Sequence, residues 1–220
     1  MEDKIINFVK KNLKWIVLFI CLIGFLTLAE DVFNKEIMKG DIIGYTLISK
    51  FLISNQATPI AKAITNIGGT VGVITITIIL LIFIRNKKIG LSMVINLVLA
   101  TGLNVILKDI LQRPRPTEFR IVDASGYSFP SGHSMVNMAF YGFLIYLIYK
   151  NVKNKYLKWG LIVFLAVLTL LIGISRIYLG VHYTSDVLAG FLVGISYLII
   201  YTSAISKFLF DDKKEWEIWN

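Results

Sequence analysis

Cysteine, histidine and charged residues are all scarce in this sequence of 220 residues. It contains one cysteine and two histidines, and charged residues make up 17% of it. Because Cys21 has no second cysteine to pair with, the chain can form neither a disulfide framework nor a thiolate metal site. The low charge accompanies a hydrophobic content of 56% and a mean hydropathy of +0.71, which exclude an ordinary soluble domain. These values are typical of an integral membrane protein.

The charge that is present is mostly basic, with a formal net charge of +9. Such an excess is found in nucleic-acid-binding proteins, but there it forms a stripe along one polar face. Here the basic residues cluster at the ends of apolar runs instead. We therefore expect the bilayer, and no nucleic acid, as a partner.

Six apolar runs approach the length of about 20 residues that a helix needs to cross a bilayer. The predicted spans are 15–33, 66–85, 89–109, 132–149, 157–175 and 187–206. Basic residues precede the first run, as in a signal peptide, but the run is long and no small-residue cleavage site follows it, so we interpret it as a retained helix. The region 34–65 is mixed in polarity and predicts short amphipathic helices on the surface. The predicted fold class is an all-α membrane protein with six transmembrane helices.

We divide the chain into three parts on this pattern. Residues 1–65 form an N-terminal flank with the first span and an amphipathic segment, 66–206 form a helical core, and 207–220 form a cytoplasmic tail. The sequence carries no signal for an oligomeric state.

The positive-inside rule gives the orientation of the spans. The two termini and the loops after the second and fourth spans hold 14 of the 23 basic residues. These are Lys4, Lys10, Lys11, Lys14, Arg85, Lys87, Lys88, Lys150, Lys153, Lys155, Lys158, Lys207, Lys213 and Lys214. With six spans all four segments lie on one side, which is predicted to be the cytoplasm. Five basic residues on the outer side break the rule and need another explanation: Lys108, Arg113, Arg115, Arg120 and Arg176.

Three polar segments share that outer side. They are Lys108–Pro116 (KDILQRPRP), Phe129–Ser134 (FPSGHS) and Ser175–Asp186 (SRIYLGVHYTSD). Lys108 and Arg115 are two helical turns apart, so both could lie on one helix face; the two prolines favour a turn from which Arg115 reaches back. With Arg176 they form a group of three cations suited to phosphate.

The second segment begins a helix, whose first N–H groups have no partner within the helix. Such a terminus binds anions, and Gly132 beside Ser131 lets an anion approach the backbone closely. Interfacial snorkelling is the alternative explanation for the cations, and a simple structural cap is the alternative for His133.

Both histidines of the chain lie in these segments. His182 precedes Asp186 by four residues, one turn if the segment is helical. A carboxylate in that place can hold one ring nitrogen and leave the other free to attack. His133 lies beside the anion-binding helix start, where it can protonate a leaving oxygen.

The pattern Lys-x6-Arg-Pro, then Pro-Ser-Gly-His, then Ser-Arg-x5-His-x3-Asp resembles the three-part signature of the type 2 phosphatidic acid phosphatase superfamily. The three parts occur in the same order, and the resemblance covers about 66–206. It implies a phosphohistidine on His182, an orienting role for Asp186 and a general acid in His133. It further implies phosphate ligands in Lys108, Arg115, Ser131, Gly132 and Arg176, with no metal or other cofactor. Because Arg113-Pro114 repeats Arg115-Pro116, Arg113 is a second candidate for the arginine ligand.

The expected function is a lipid phosphatase with its site at the outer membrane face. Undecaprenyl pyrophosphate, phosphatidylglycerol phosphate, phosphatidic acid and diacylglycerol pyrophosphate are candidate substrates; the outward site favours the first slightly. Lipid phosphotransfer would use the same residues. Vanadate haloperoxidases share this anion pocket, but they are soluble, and a transporter or a lipid-binding relic predicts degraded motifs, which are intact here.

Overall fold

The computed structural model describes residues 2–35 and 38–210, which form eight helices and no strand. The helices are α1 (Glu2–Phe33), α2 (Lys39–Phe51), α3 (Ala57–Ile67), α4 (Thr70–Phe83), α5 (Lys87–Leu111), α6 (Gly132–Asn151), α7 (Lys155–Tyr178) and α8 (Thr184–Phe210). The all-α prediction is confirmed. The tail residues 211–220, with Lys213 and Lys214, lie outside the described residues, as does position 1.

Four described helices are long and apolar enough to cross a bilayer: α1 over Lys11–Phe33, α5, α7, and α8 over Thr184–Ser206. A fifth span results if α3 and α4, which meet at a bend of 54°, are counted together. By length and composition, the described helices therefore provide four or five spans and not the predicted six.

The remaining predicted span, 132–149, corresponds to α6. This helix packs against α5, α7 and α8 and lies inside the bundle. Polar residues such as Ser134 and Asn137 are fully buried in these contacts. A helix enclosed by other helices can carry polar groups toward its neighbours, because they do not face lipid.

The predicted second span, 66–85, is wrong as a single helix. It breaks at Gly68 and Gly69, and α4 itself has only 14 residues. Tertiary contacts hold the break: Asn137 Nδ2 donates to the Gly68 carbonyl at 2.7 Å. A Cβ on Gly68 would lie 2.4 Å from Ile172 Cγ2, so only glycine lets the chain pass this close to α7.

The region 34–65 contains two short helices, as predicted, but they are not confined to the surface. α2 exposes Ile43, Leu47 and Phe51 while it buries Asp41. α3 buries Thr65 and runs across the boundary we drew at residue 66. The division into three parts stays a prediction.

The outside of the bundle is apolar. Phe19, Val71 and Ile82 are 65%, 80% and 72% exposed. Large apolar side chains in such numbers are not stable against water, whereas hydrocarbon accommodates them. Inside, Met93, Phe140 and Ile172 belong to a cluster of buried apolar residues.

Candidate active site

The three polar segments of the sequence meet at one end of the bundle. The loop 112–131 connects α5 to α6 and crosses the turn between α7 and α8. The Ser131 N–H donates to the Asp186 carbonyl at 2.9 Å, and the Ser128 N–H donates to the Arg113 carbonyl at 2.8 Å. Asn104 Nδ2 of α5 donates to the Pro130 carbonyl at 3.3 Å. Backbone hydrogen bonds therefore hold the segments in register.

The turn after α7 brings His182 into this end. The helix ends at Tyr178, and Gly180 adopts a φ of +68°, the left-handed region that favours glycine. A Cβ there would lie 2.3 Å from the Phe119 carbonyl oxygen. Glycine is required for both reasons, and the tight turn directs the next residues back over the bundle end.

His182 and Asp186 form the contact that their spacing predicted, but by a different route. His182 lies in the turn before α8 and not on a helix, so the two residues are not one helical turn apart. Asp186, in the first turn of α8, reaches back to His182: its Oδ2 lies 3.2 Å from Nδ1 and accepts from the Tyr183 N–H at 2.9 Å. With Nδ1 facing a carboxylate, the proton belongs on Nδ1 and the lone pair on Nε2.

The ring of His182 is neutral near pH 7. Burial lowers its pKa to about 4; Asp186 opposes this effect, and the positive charges of Arg115 and Arg176 add to it. Arg115 Nη1 donates to Nε2 at 3.0 Å. A guanidinium has only donors, so Nε2 is the acceptor in this contact. The Nε2 lone pair therefore points at the Arg115 guanidinium.

The three predicted cations lie at the same end of the bundle, with Arg115 in contact with His182 and Lys108 donating to the Tyr127 carbonyl. Arg115 reaches back from the loop after α5, because the helix ends at Leu111, and its Nη1 also donates to the Val181 carbonyl at 2.9 Å. Arg176 Nη1 donates to Thr65 Oγ1 at 2.6 Å, while its buried Nε has no partner among the described residues. The charges of Arg115 and Arg176 both act on Lys108. Like charges so placed repel one another unless an anion joins them.

The helix start at Ser131 and Gly132 lies as predicted at the beginning of α6. Ser131 is its N-cap and accepts from the Ser134 N–H at 3.4 Å. Packing also requires a glycine at position 132, since a Cβ there would lie 2.9 Å from Asn104 Oδ1. His133 hydrogen-bonds to the Thr65 backbone and lies in the electrostatic field of Arg176, His182 and Arg115.

Arg113 does not share the environment of Arg115. Its Nη1 donates to Asp186 Oδ1 at 2.6 Å, and its Nη2 donates to Asp41 Oδ2 at 2.7 Å. The guanidinium also lies 4.1 Å from the centre of the Tyr183 ring. Arg113 is therefore engaged by two carboxylates, whereas Arg115 faces Nε2 of His182.

Sequence reasoning missed Asp41 and Thr65 as parts of the site. Both come from the region 34–65, whose mixed polarity suggested a solvated surface. Asp41 is the one acidic residue of α2 and lies three positions before Gly44, a spacing that puts both on one helix face. That spacing alone is too common to have identified it.

A cavity of about 1060 Å³ opens beside His182. Asp41, Arg113 and Tyr183 supply polar parts of its lining. Its apolar lining comes from α1, α2, the end of α5 and the following loop: Val32, Phe33, Met38, Ile42, Ile110, Leu111 and Phe119. A ligand with a charged end and a hydrocarbon part fits this distribution.

The chain is similar to known membrane phosphatases. The family model of the PAP2 superfamily matches residues 89–209. Over 179 residues the chain is 35% identical to phosphatidylglycerophosphatase B of Bacillus subtilis (strain 168), covering 78% of this chain and 86% of the relative. It is 36% identical over 137 residues to an undecaprenyl-diphosphatase of Sulfolobus acidocaldarius, covering 58% and 61% of the two chains.

A solved structure has the same fold. The transmembrane PAP2 type phosphatidylglycerolphosphate phosphatase from Bacillus subtilis superposes with a TM-score of 0.75 at 28% identity, covering 86% of this chain and 96% of that one. The chain belongs to the PAP2 superfamily. It is a multi-pass membrane protein and a lipid phosphatase, and the resemblance inferred from the three motifs is confirmed.

Proposed function

We propose that the enzyme transfers phosphate from a lipid to His182 and then to water. The observation that carries the proposal is the hydrogen-bonded arrangement of His182, with Asp186 at Nδ1 and Arg115 at Nε2. In the first step Nε2 attacks phosphorus, and the bond from phosphorus to the lipid oxygen breaks. His133 donates a proton to that leaving oxygen. In the second step His133 takes a proton from water as it attacks phosphorus, and the phosphorus–nitrogen bond breaks.

The anion pocket stabilises both steps in this scheme. Its proposed members are Lys108, Arg115, Arg176, Ser131 and Gly132. The Nε of Arg176 has no partner within residues 2–35 and 38–210, and the cations repel one another. Both observations support the assignment, because a phosphate would relieve both. We propose that no metal takes part. Positive charge that a metal would supply comes from side chains, and the described residues contain no group of three His, Cys, Asp or Glu side chains suited to a metal.

We propose phosphatidylglycerol phosphate and undecaprenyl pyrophosphate as the first substrates to compare, with the site at the outer membrane face. The relative that aligns with 78% of this chain is named for the first activity. The relative that aligns with 58% of it is named for the second. In this proposal the cavity beside His182 receives the start of the hydrocarbon chain. The phosphate then meets the cations.

The test is phosphate release by purified protein in detergent, over a panel of these lipids and phosphatidic acid, with and without EDTA. We expect release from at least one lipid, at rates that EDTA leaves unchanged within about twofold, since the catalytic groups are side chains. The ranking of rates identifies the substrate. Loss of activity with EDTA and its recovery with added Mg²⁺ would contradict the metal-free scheme.

The orientation is tested by cysteine labelling in intact cells. Arg120→Cys places an exposed thiol in the loop that leads to α6, on the side of the active site. We expect an impermeant maleimide to label it without lysis, because the positive-inside rule places this loop outside. Lys153→Cys, exposed in the loop between α6 and α7, is the matched control and should react only after lysis. The native Cys21 is buried, so the unmodified chain gives the background. The opposite labelling pattern would invert the topology.

A further inference from the structure

Both carboxylate oxygens of Asp186 are occupied. Oδ2 faces His182 and the Tyr183 N–H, and Oδ1 accepts from Arg113 Nη1 at 2.6 Å. Asp186 is fully buried, and the Arg113 side chain is 11% exposed. The planar guanidinium of Arg113 contacts Asp186 through Nη1 and Asp41 through Nη2, so it bridges the two carboxylates in a fixed geometry. The orientation of Asp186, and with it that of the His182 ring, therefore depends on where Arg113 is held.

Arg113 is held from the other side by Asp41 of α2, which is 5% exposed. Asp41 also accepts from the Ser185 N–H at 2.7 Å and from Ser185 Oγ at 2.9 Å. A helix normally satisfies the N–H of its second residue with an N-cap side chain. The residue before α8 is Tyr183, whose phenol cannot reach its own helix start in that way. Asp41 therefore caps α8 from another helix, one residue before Asp186.

The close seating of α2 makes this contact possible. A Cβ on Gly44 would lie 2.2 Å from Thr184 Oγ1, the first residue of α8. Gly44 is one turn after Asp41, so the two lie on the same face of α2. The glycine allows the backbone of α2 to approach α8, and Asp41 then reaches the helix start.

We propose that Asp41 and Arg113 are positioning residues of the phosphatase: they hold Asp186 from the side opposite His182 and so hold the nucleophile toward the phosphate. The inference rests on the proposed role of His182. It makes α2, which precedes the region matched by the family model, a part of the catalytic centre. Neither residue is expected to touch phosphate, because the contacts of both are directed at each other, at Ser185 and at Asp186.

The first measurement is steady-state kinetics with the best lipid of the panel for Asp41→Asn and Arg113→Gln. Asp41→Asn keeps the size of the side chain and an acceptor for the Ser185 N–H, and Arg113→Gln replaces the guanidinium by a shorter, neutral amide. We expect kcat to fall roughly 10- to 100-fold, the range seen when groups that orient a reactive ligand are removed. The KM should change less than about threefold, because the proposed phosphate ligands remain. Asp123→Asn, an exposed carboxylate of the same loop, is the matched control and should behave as wild type.

The second measurement is the pH profile of kcat/KM, which separates positioning from general loosening. The groups that face His182 and its partner are Asp186, Arg113, Arg115, Arg176, His133 and Lys108. Wild-type activity should fall at acidic pH as His182 gains a proton and at higher pH as the proposed acid His133 loses its proton; the acid limb is the one compared between variants. Arg113→Gln removes a positive charge, favours the imidazolium and moves the acid limb to higher pH. Asp41→Asn removes a negative charge and moves it to lower pH. A loosened site would instead expose His182 to water in both variants, and the acid limb of each variant would then move to higher pH.

Trapping of the acid-labile phosphohistidine in wild-type protein keeps this inference separate from the proposed function. If wild type forms no such intermediate, the proposed nucleophile is wrong. If it does, and folded Asp41→Asn and Arg113→Gln match it in kcat and acid limb, only the positioning role is wrong. Acid limbs that both move upward would also overturn it. Should either variant fail to fold, Arg113→Lys retains the charge but cannot bridge two carboxylates. The same loss of kcat is then expected for Arg113→Lys, and wild-type kinetics in that variant would reject the positioning role of Arg113.

Discussion

Replacement of His182 by alanine is expected to abolish phosphate release, with a loss of about 10⁴-fold or more by analogy with other catalytic nucleophiles. The change removes Nε2, the atom that accepts from Arg115 and is proposed to bond to phosphorus. His133 lies in the same charged pocket, but it has no carboxylate partner at its ring like the one Asp186 provides for His182, so it is not expected to substitute as the nucleophile. Binding of the lipid should survive, because the proposed phosphate ligands remain.

The measurement pairs release assays with trapping of the phosphoenzyme by rapid denaturation at alkaline pH, where phosphohistidine persists. His182→Gln serves as a second variant, since it fills more of the buried space that alanine would leave empty. Size-exclusion elution and thermal unfolding in detergent show whether each variant is folded. A folded His182→Ala enzyme with near-wild-type turnover would disprove the phosphohistidine scheme.

Replacement of Asp186 by asparagine is expected to lower kcat by about 10³- to 10⁴-fold, as when the carboxylate behind a catalytic histidine is changed in this way. The carboxylate accepts from Nδ1, from the Tyr183 N–H and from Arg113. An amide nitrogen facing Nδ1 would donate instead, which favours the tautomer with its proton on Nε2. That tautomer has no lone pair directed at the phosphate, so the attack fails although the ring is present.

Single-turnover kinetics make this test specific. The rate of phosphohistidine formation should fall with kcat, whereas lipid affinity should change little, because Asp186 is not among the proposed phosphate ligands. Asp123→Asn is the control for loss of one acidic group from the same end of the molecule. A loss of less than about tenfold in a folded Asp186→Asn enzyme would show that the orientation of His182 does not depend on this carboxylate.

For His182 and Asp186, the sequence predicted one property of the pair and not another. The contact between His182 and Asp186 followed from residue type and spacing, and it is present in the structure. Its geometry did not follow, because a spacing of four suggested a helix. The left-handed turn at Gly180 and the start of α8 at Thr184 place the pair across a helix terminus instead. Spacing along the chain limits distance, but the dihedral angles of the turn decide direction.

Arg113 and Arg115 show the same limit. Both precede a proline, and the sequence offered only motif spacing to choose between them. The fold separates them by charge: Arg113 meets two carboxylates, while Arg115 faces backbone carbonyls and a neutral imidazole. An arginine already held by two carboxylates has less positive charge to offer a phosphate.

The sequence by itself determined the membrane class, the all-helical architecture, the family and the residue types proposed to carry the chemistry. Long apolar runs and short motifs are local properties, and they are readable one segment at a time. The tertiary structure decided that the second span breaks at Gly68, that α6 is enclosed, and that Asp41 of α2 caps α8 beside the proposed nucleophile. These features depend on contacts between residues far apart in the chain, such as Asp41 and Ser185, and on the close approach that Gly44 permits. Packing of whole helices sets such contacts, and no local pattern encodes them.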